Sequence, residues 1–131
     1  MKTYQPQEII IAEDIRMEVG GKITLVGVTP SVVVITKSKA NKQAMHTLAV
    51  YCEILNGDEI SSAHISISAP NEEILVEGNI PIPEGDKRHM VLAGKFVNMK
   101  FKESGTYRVS INIEGDTISK DVKVKINEEG K

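Results

Sequence analysis

Residues 13–28, EDIRMEVGGKITLVGV, predict a β-hairpin and set the expectation for the whole fold. Apolar residues alternate with other residues on both sides of two adjacent glycines, and side chains alternate between the two faces of a strand. One face of the hairpin is therefore apolar, and we predict that it points into a core. The apolar set is Ile9, Ile11, Ile15, Met17 and Val19 before the turn, with Ile23 and Leu25 after it.

The same alternation indicates how many residues form the turn. A two-residue loop at the glycines would pair polar with apolar residues. A three-residue loop ending at Gly21 instead pairs Met17 with Ile23. It also sets Glu18 opposite Lys22, which is favourable across a ladder. Such loops carry a left-handed residue before the second strand, where a glycine meets little steric cost. We therefore predict the three-residue loop, with Gly21 at positive φ.

Length and composition bound the remaining possibilities. A chain of 131 residues, 40% hydrophobic and 26% charged, is typical of one soluble globular domain. The net charge of −2 gives no overall attraction to nucleic acid or anionic membranes, and the absence of Trp argues against base-stacking surfaces. Cys52 is the single cysteine, which favours a reducing compartment. With no signal peptide or membrane span in the pattern, we expect a cytoplasmic protein, in the host cytosol if a phage encodes it.

Period-two alternation continues along most of the chain, without a long stretch of helical period. About eight or nine short strands are predicted, which indicates an all-β fold, an antiparallel β-sandwich in a single domain over residues 1–131. After the hairpin, the predicted strands are 31–36, 46–55, 60–69, 74–76, 90–97, 106–113 and 117–126. A two-residue turn, Gly115-Asp116, is predicted between the last two strands. We predict a frayed tail at residues 126–131.

The stretch 103–107, ESGTY, favours an immunoglobulin-like sandwich. A glycine followed by a tyrosine at the start of the penultimate strand is typical of the tyrosine corner, in which the hydroxyl bonds back to the backbone near the connection between sheets. The alternative is that Tyr107 simply packs at the start of a strand. The Cys…Trp…Cys pattern of antibody domains is absent, so the likeness is one of architecture.

Residues 13–28 also resemble the N-terminal signature of an uncharacterised family of bacterial and prophage proteins, a domain of unknown function with the pattern EDIRxExGGKxTLxGV. Looser support comes from residues 105–107, and the middle of the chain has no match. The resemblance implies a small β-sandwich, a bacterial or phage source and an intracellular location. It implies no activity, cofactor or site residue.

The sequence carries no motif for chemistry, and we expect no enzyme activity, catalytic residue, cofactor or metal site. Glu13 and Asp14 point to opposite faces of a strand and cannot act together as acid and base. Glu13 falls on the apolar face, where an unpaired carboxylate is costly, so either the strand bends there or Glu13 lies at the rim. Asp14 and Arg16 share the polar face, close enough for an ion pair.

The histidines and the cysteine also lack the spacing of a site. His46, His64 and His89 show no metal-ligand pattern. Cys52 shares a face with His46 but lies about 20 Å away along the strand, too far for a nucleophile and its base. We interpret Cys52 as a small core residue.

Basic residues form local groups that we predict to be the partner-binding site. The predicted site consists of Lys37, Lys39 and Lys42 in one loop and Lys87, Arg88 and His89 in another. Three further basic residues follow in the sequence: Lys95, Lys100 and Lys102. If the fold brings these groups together, they form one positive face that could dock an acidic protein. The alternative is an ordinary solvated surface.

Three hypotheses for function follow. The leading one is a non-enzymatic protein-binding module of bacterial or phage origin, acting as an inhibitor or adaptor of host machinery. The first alternative is a structural component of a phage or secretion assembly. The second is a nucleic-acid binder or mimic, which the balanced charge argues against. The expected partner is another protein, with no membrane contact, and the sequence leaves the oligomeric state open.

Overall fold

The computed structural model describes residues 4–29, 32–37, 43–82 and 84–128. This part of the chain forms eleven strands and no helix, so it holds no helix that could cross a membrane. The strands are β1 Gln5–Pro6, β2 Ile10–Ala12, β3 Asp14–Met17, β4 Ile23–Val26, β5 Val32–Lys37, β6 Ala44–Leu55, β7 His64–Ser68, β8 Ile74–Asn79, β9 His89–Phe101, β10 Gly105–Ile113 and β11 Asp116–Glu128. The all-β prediction is confirmed. The count exceeds eight or nine because the chain before the hairpin turn is divided into β1, β2 and β3.

Apart from β3 and β4, the strands form two sheets around one hydrophobic core. In the first sheet β6 is central, with β1 and β2 in succession along one edge and β9 along the other. The second sheet has the order β5-β11-β10-β7-β8. Its pairs are antiparallel, except that β5 runs parallel to β11. This is the predicted β-sandwich, with one parallel pair in place of a fully antiparallel arrangement.

The core is built from alternate residues of the long central strands. From β6 and β10, the buried alternate residues are Leu48, Val50, Cys52 and Ile54, and Tyr107, Val109, Ile111 and Ile113. They lie at alternate positions, so each strand turns one apolar face to the core. Removing such apolar area from water contributes about 25 cal/mol per Å², which makes this core the main source of stability.

Tyr107 forms the predicted tyrosine corner. Its side chain is 2% exposed, and its hydroxyl donates to the carbonyl oxygen of Glu103 at 2.7 Å. Its ring packs edge-on against Phe101, with centroids 5.0 Å apart and planes at 72°. The corner therefore joins the end of β9 in one sheet to the start of β10 in the other.

The turn between β10 and β11 differs from the prediction by one residue. Ile113 pairs with Asp116, so the two-residue loop is Glu114-Gly115 and not Gly115-Asp116. Both loop residues have positive φ, 49° and 99°, as the twist of a tight hairpin requires. The side-chain oxygen of Asn112 accepts from the backbone N–H of Gly115 at 3.1 Å and fixes the turn at this position.

The predicted frayed tail is wrong for residues 126–128, which belong to β11. They pair with the end of β5, and the backbone N–H of Ile126 donates to Ser104 Oγ at 3.0 Å. Ile126 is half-buried against the core. Because the partner strand is parallel and distant in sequence, no local pattern could indicate it. Residues 129–131 of the predicted tail lie outside the described part.

Candidate functional site

The hairpin of β3 and β4 has the predicted register. Met17 pairs with Ile23, and the backbone N–H of Glu18 donates to the carbonyl oxygen of Lys22 at 2.7 Å. Gly20 and Gly21 have φ of +82° and +75°, so the left-handed position at Gly21 is confirmed. The two strands pair only with each other among the described residues, so the hairpin is a separate two-stranded unit.

The apolar face of this hairpin does not enter the core along its whole length, and here the prediction is wrong. Met17 is 70% exposed and Val19 is 96% exposed, while Ile15, Ile23 and Leu25 are half-buried. The cause is a bend at Glu13, between β2 and β3, where the chain leaves the first sheet. Beyond that bend the alternation continues, but no strand of the described ranges forms a second layer over the tip. The result is a projecting hairpin with apolar side chains at its end.

Glu13 and Gly27 shape the base of the hairpin. The backbone N–H of Glu13 donates to the carbonyl oxygen of Val26 at 2.9 Å, which closes the ladder. The Glu13 side chain crosses Gly27 so closely that a Cβ there would lie 2.8 Å from Glu13 Cδ. Gly27 also has φ of +66°, which disfavours other residues. Glu13 itself is exposed and lies at a bend, so of the two predicted alternatives, a bend or a place at the rim, the structure shows the bend.

Asp14 ties the base of the hairpin to the first sheet. One carboxylate oxygen accepts from Lys95 Nζ at 2.6 Å and from the backbone N–H of Ile15 at 2.9 Å. The other lies 3.5 Å from Arg16 Nε, which confirms the predicted pair. The hydrogen bond from Lys95 is the main reason that the pKa of Asp14 is lower than usual. Since Lys95 lies on β9, this contact anchors the hairpin to a long strand of the sandwich.

The structure does not bring the predicted basic groups together. Lys37 ends β5 and lines a pocket with Phe101, at the far end of β9. Lys87, Arg88 and His89 lie at or just before the start of β9. At about 3.3 Å per residue, the two ends of this strand are roughly 40 Å apart. Lys39 and Lys42 lie outside the described residues, so binding by these basic groups stays a prediction.

At the start of β9, contacts within the chain already hold two of the cations. Arg88 donates to both carboxylate oxygens of Asp86, from Nη2 at 2.6 Å and from Nε at 2.9 Å to the same oxygen and 3.1 Å to the other. This pairing lowers the pKa of Asp86 to about 2. Lys87 Nζ donates to the carbonyl oxygen of Ile60 at 3.0 Å. These residues therefore fix the connection into β9.

At the other end of β9, Lys37 is joined by residues that sequence reasoning named only in passing. Lys100 and Lys102 line the same pocket, of about 290 Å³, above the side chains of Ala44 and Phe101. The signal that could have found them is the alternation of lysines at positions 100 and 102, just beyond the predicted strand 90–97, which the structure extends to Phe101. Their meeting with Lys37 depends on the pairing of β5 with β11, which no local pattern shows.

Cys52 and His64 make contacts within the fold and show no sign of a reactive site. The Cys52 thiol is fully buried and donates to the carbonyl oxygen of Gln7 at 3.3 Å, and burial raises its pKa to about 11. Because the thiolate is the reactive form, this cysteine is a poor nucleophile near neutral pH. His64 lies between Asn79 Oδ1 at 3.1 Å and Glu77 Oε1 at 3.0 Å. Within the described ranges, no three His, Cys, Asp or Glu side chains are grouped as metal ligands.

Comparisons with known proteins give no family. No protein-family model matches the chain, and no curated protein matches it. The resemblance of residues 13–28 to a family of unknown function therefore stays a prediction. All the residues of that stretch lie in the hairpin and its base. The segment that carries the resemblance is therefore also the segment that exposes apolar side chains.

Proposed function

We propose that the chain is a non-enzymatic protein-binding module, an inhibitor or adaptor, that contacts its partner with the tip of the β3–β4 hairpin. The observation that carries this proposal is the exposure of Met17 and Val19 at the end of a defined hairpin. A two-stranded hairpin has little stability by itself, so its register and its tie to Lys95 support a specific shape. Exposed apolar groups on a fixed shape are typical of interaction sites.

The chemistry of the tip supports a protein as the partner. Its apolar side chains are bordered by Arg16, Glu18 and Lys22, which carry charges of both signs. A central apolar contact with a polar rim is the common arrangement of protein interfaces. A nucleic acid would instead require a surface of one positive sign. Enzyme activity finds no support in Cys52, whose thiol is buried and protonated.

The test compares matched pairs of exposed apolar residues. Met17 and Val19 are changed to serine in one variant, and Val32 and Val34, which are 48% and 55% exposed on β5, in the control. Both variants should keep the denaturation midpoint of the wild type, because exposed side chains contribute little to folding. Immobilised wild type and control should retain the same protein from an extract of the source cells, and the hairpin variant should lose it.

The outcome that contradicts the proposal is equally clear. If the hairpin variant retains the same protein as the wild type, the tip is not the binding site. If the β5 control alone loses it, binding belongs to the outer face of the second sheet. Each result is interpreted only when the two variants show the same unfolding midpoint.

A further inference from the structure

A second surface lies between the open edges of the two sheets, away from the hairpin tip. β8 ends the second sheet and β9 ends the first, and neither has a second partner strand within the described residues. Between them runs an open groove of about 560 Å³. Its apolar lining residues are Leu75 and Val76 from β8 and Phe96, Val97 and Met99 from β9.

A bulge in β9 exposes one side of this groove. Thr47 on β6 faces both Val97 and Asn98, and Asn98 has φ of 54°. The backbone N–H of Asn98 donates to Thr47 Oγ1 at 3.1 Å, which holds the bulge in place. Val97 is consequently 63% exposed at the rim. A bulge bends a strand and aims a side chain in a new direction, and here the side chain borders the groove.

Lysines line the groove and continue beyond one end. Lys95 and Lys100 lie on the groove, and Lys100 also lines the adjoining pocket with Lys37 and Lys102. Among the described residues, no Asp or Glu lines either one, although the whole chain carries a net charge of −2. Lys95 is paired with Asp14, but Lys37, Lys100 and Lys102 form no ion pair among the described residues. The surface thus combines an apolar channel with three lysines, of which Lys37 lies opposite Glu128 in the ladder of β5 and β11.

We propose that this groove binds an extended segment of a partner protein in which apolar side chains alternate with carboxylates. An extended segment presents alternate side chains to opposite sides, so its apolar set faces Leu75 and Phe96. Its backbone lies beside two strand edges that have no further partner strand among the described residues, as in strand addition. Its carboxylates meet Lys100 and Lys102. The proposal adds a second contact site to the hairpin and does not depend on the hairpin's role.

Edge protection is the competing explanation for these features. Lysines and bulges are common on exposed edges, where they prevent pairing with other chains. That explanation predicts no preference for any peptide sequence. It also leaves the apolar lining of the groove without a role.

The experiment selects short random peptides on the immobilised full chain and then measures the enriched peptides by fluorescence anisotropy. We expect the enriched sequences to alternate apolar and acidic residues. Their affinity should fall as salt is raised, because exposed charges are screened beyond about 8 Å at physiological ionic strength. Enriched sequences without an acidic preference, or without apolar residues, would overturn the proposal.

Reversing the charge of lysines at the groove tests whether the peptide binds there. Lys100→Glu with Lys102→Glu should weaken binding of an enriched peptide about tenfold or more, because like charges then face each other. The matched control is Lys123→Glu with Lys125→Glu, two exposed lysines on the outer face of β11, which should leave the affinity unchanged. A peptide with lysine in place of its acidic residues should bind the groove variant better than the wild type. Equal binding to both variants overturns the proposal.

Two further measurements test whether the groove binds a nucleic acid or a second copy of the chain instead of a peptide. If single-stranded DNA binds the wild type as tightly as the enriched peptide and competes with it, the groove is a nucleic-acid site and the proposal fails. If the chain alone forms dimers in sedimentation that Val97→Asp abolishes, the occupant is a second copy and the proposal again fails. A monomer that binds the peptide, and loses it in Val97→Asp with an unchanged unfolding midpoint, supports the groove.

Discussion

At the scale of single residues, the Tyr107 hydroxyl offers a clean measurement. It donates to the Glu103 carbonyl oxygen, and a buried hydrogen bond has a net value of about 1 kcal/mol. Tyr107→Phe should therefore lower the free energy of unfolding by about 1 kcal/mol in a denaturant titration. Tyr51→Phe is the control, because the Tyr51 hydroxyl has no hydrogen bond with any described residue. Equal midpoints for the two variants would mean that the corner contributes no stability.

Gly21 gives a second measurement at this scale. It holds φ of +75° in open space, so a side chain there meets strain and no clash. Gly21→Val should destabilise the hairpin by about 1–3 kcal/mol. The Glu18 amide, bonded to Lys22, should then exchange its hydrogen faster. Gly78→Val is the control, because Gly78 also faces open space but has no positive φ. Unchanged protection of Glu18 in Gly21→Val would refute the role of the left-handed turn.

At the scale of elements, the contact of Asp14 with Lys95, which joins the hairpin to the first sheet, should weaken at low pH. The pKa of Asp14 is lowered in the folded chain, mainly by the hydrogen bond from Lys95. The tie is therefore complete above the unfolded pKa of about 3.9 and is lost as the pH falls through the lower folded pKa. A carboxyl-carbon NMR titration should show Asp14 titrating at a higher pH in Lys95→Met than in the wild type.

The control for this titration is Lys123→Met, which removes an exposed lysine from another sheet. It should leave the Asp14 titration where the wild type has it. The amide shifts of the hairpin should follow the same transition in the wild type, since Asp14 belongs to β3. If Lys95→Met and the wild type titrate together, Lys95 does not hold Asp14 in solution.

The elements show which properties sequence can predict. The hairpin register follows from the alternation around Gly21, because turn and face are both local properties. The exposure of Met17 could not be predicted, because it depends on whether another layer covers that face. The contact of Asp14 with Lys95 joins residues that are distant in the sequence, and no pattern in either segment indicates the other.

The same limit applies to the candidate sites. The basic residues were recognised, but their separation by the full length of β9 was not. The groove between β8 and β9 was not predicted, because it arises where two sheets stop beside each other. The ends of a strand and its apolar face depend on nearby residues, so the sequence indicates them. The neighbours of an edge strand depend on the topology of the whole fold, which local patterns do not show.

At the scale of the whole molecule, the end of β11 should be essential to stability. Residues 126–128 pair with β5, and Ile126 is half-buried against the core. A chain ending at Lys125 should lose about 1 kcal/mol or more, because a half-buried isoleucine contributes about half of what full burial would, and the ladder hydrogen bonds are lost as well. A chain ending at Glu128 is the control, because it keeps every pair of that ladder. Equal thermal unfolding of the two truncated chains would contradict a role for this pairing.

The parallel pairing of β5 with β11 also affects how the chain is made. Val32 pairs with Lys123, so the ribosome releases β5 long before its neighbour exists. At about 5–20 residues per second, that interval lasts several seconds. Such distant pairings also slow folding, because a long loop must close before the contact forms. A nascent chain therefore carries residues 32–35, an unbroken aliphatic run, without their partner strand until β11 has been made.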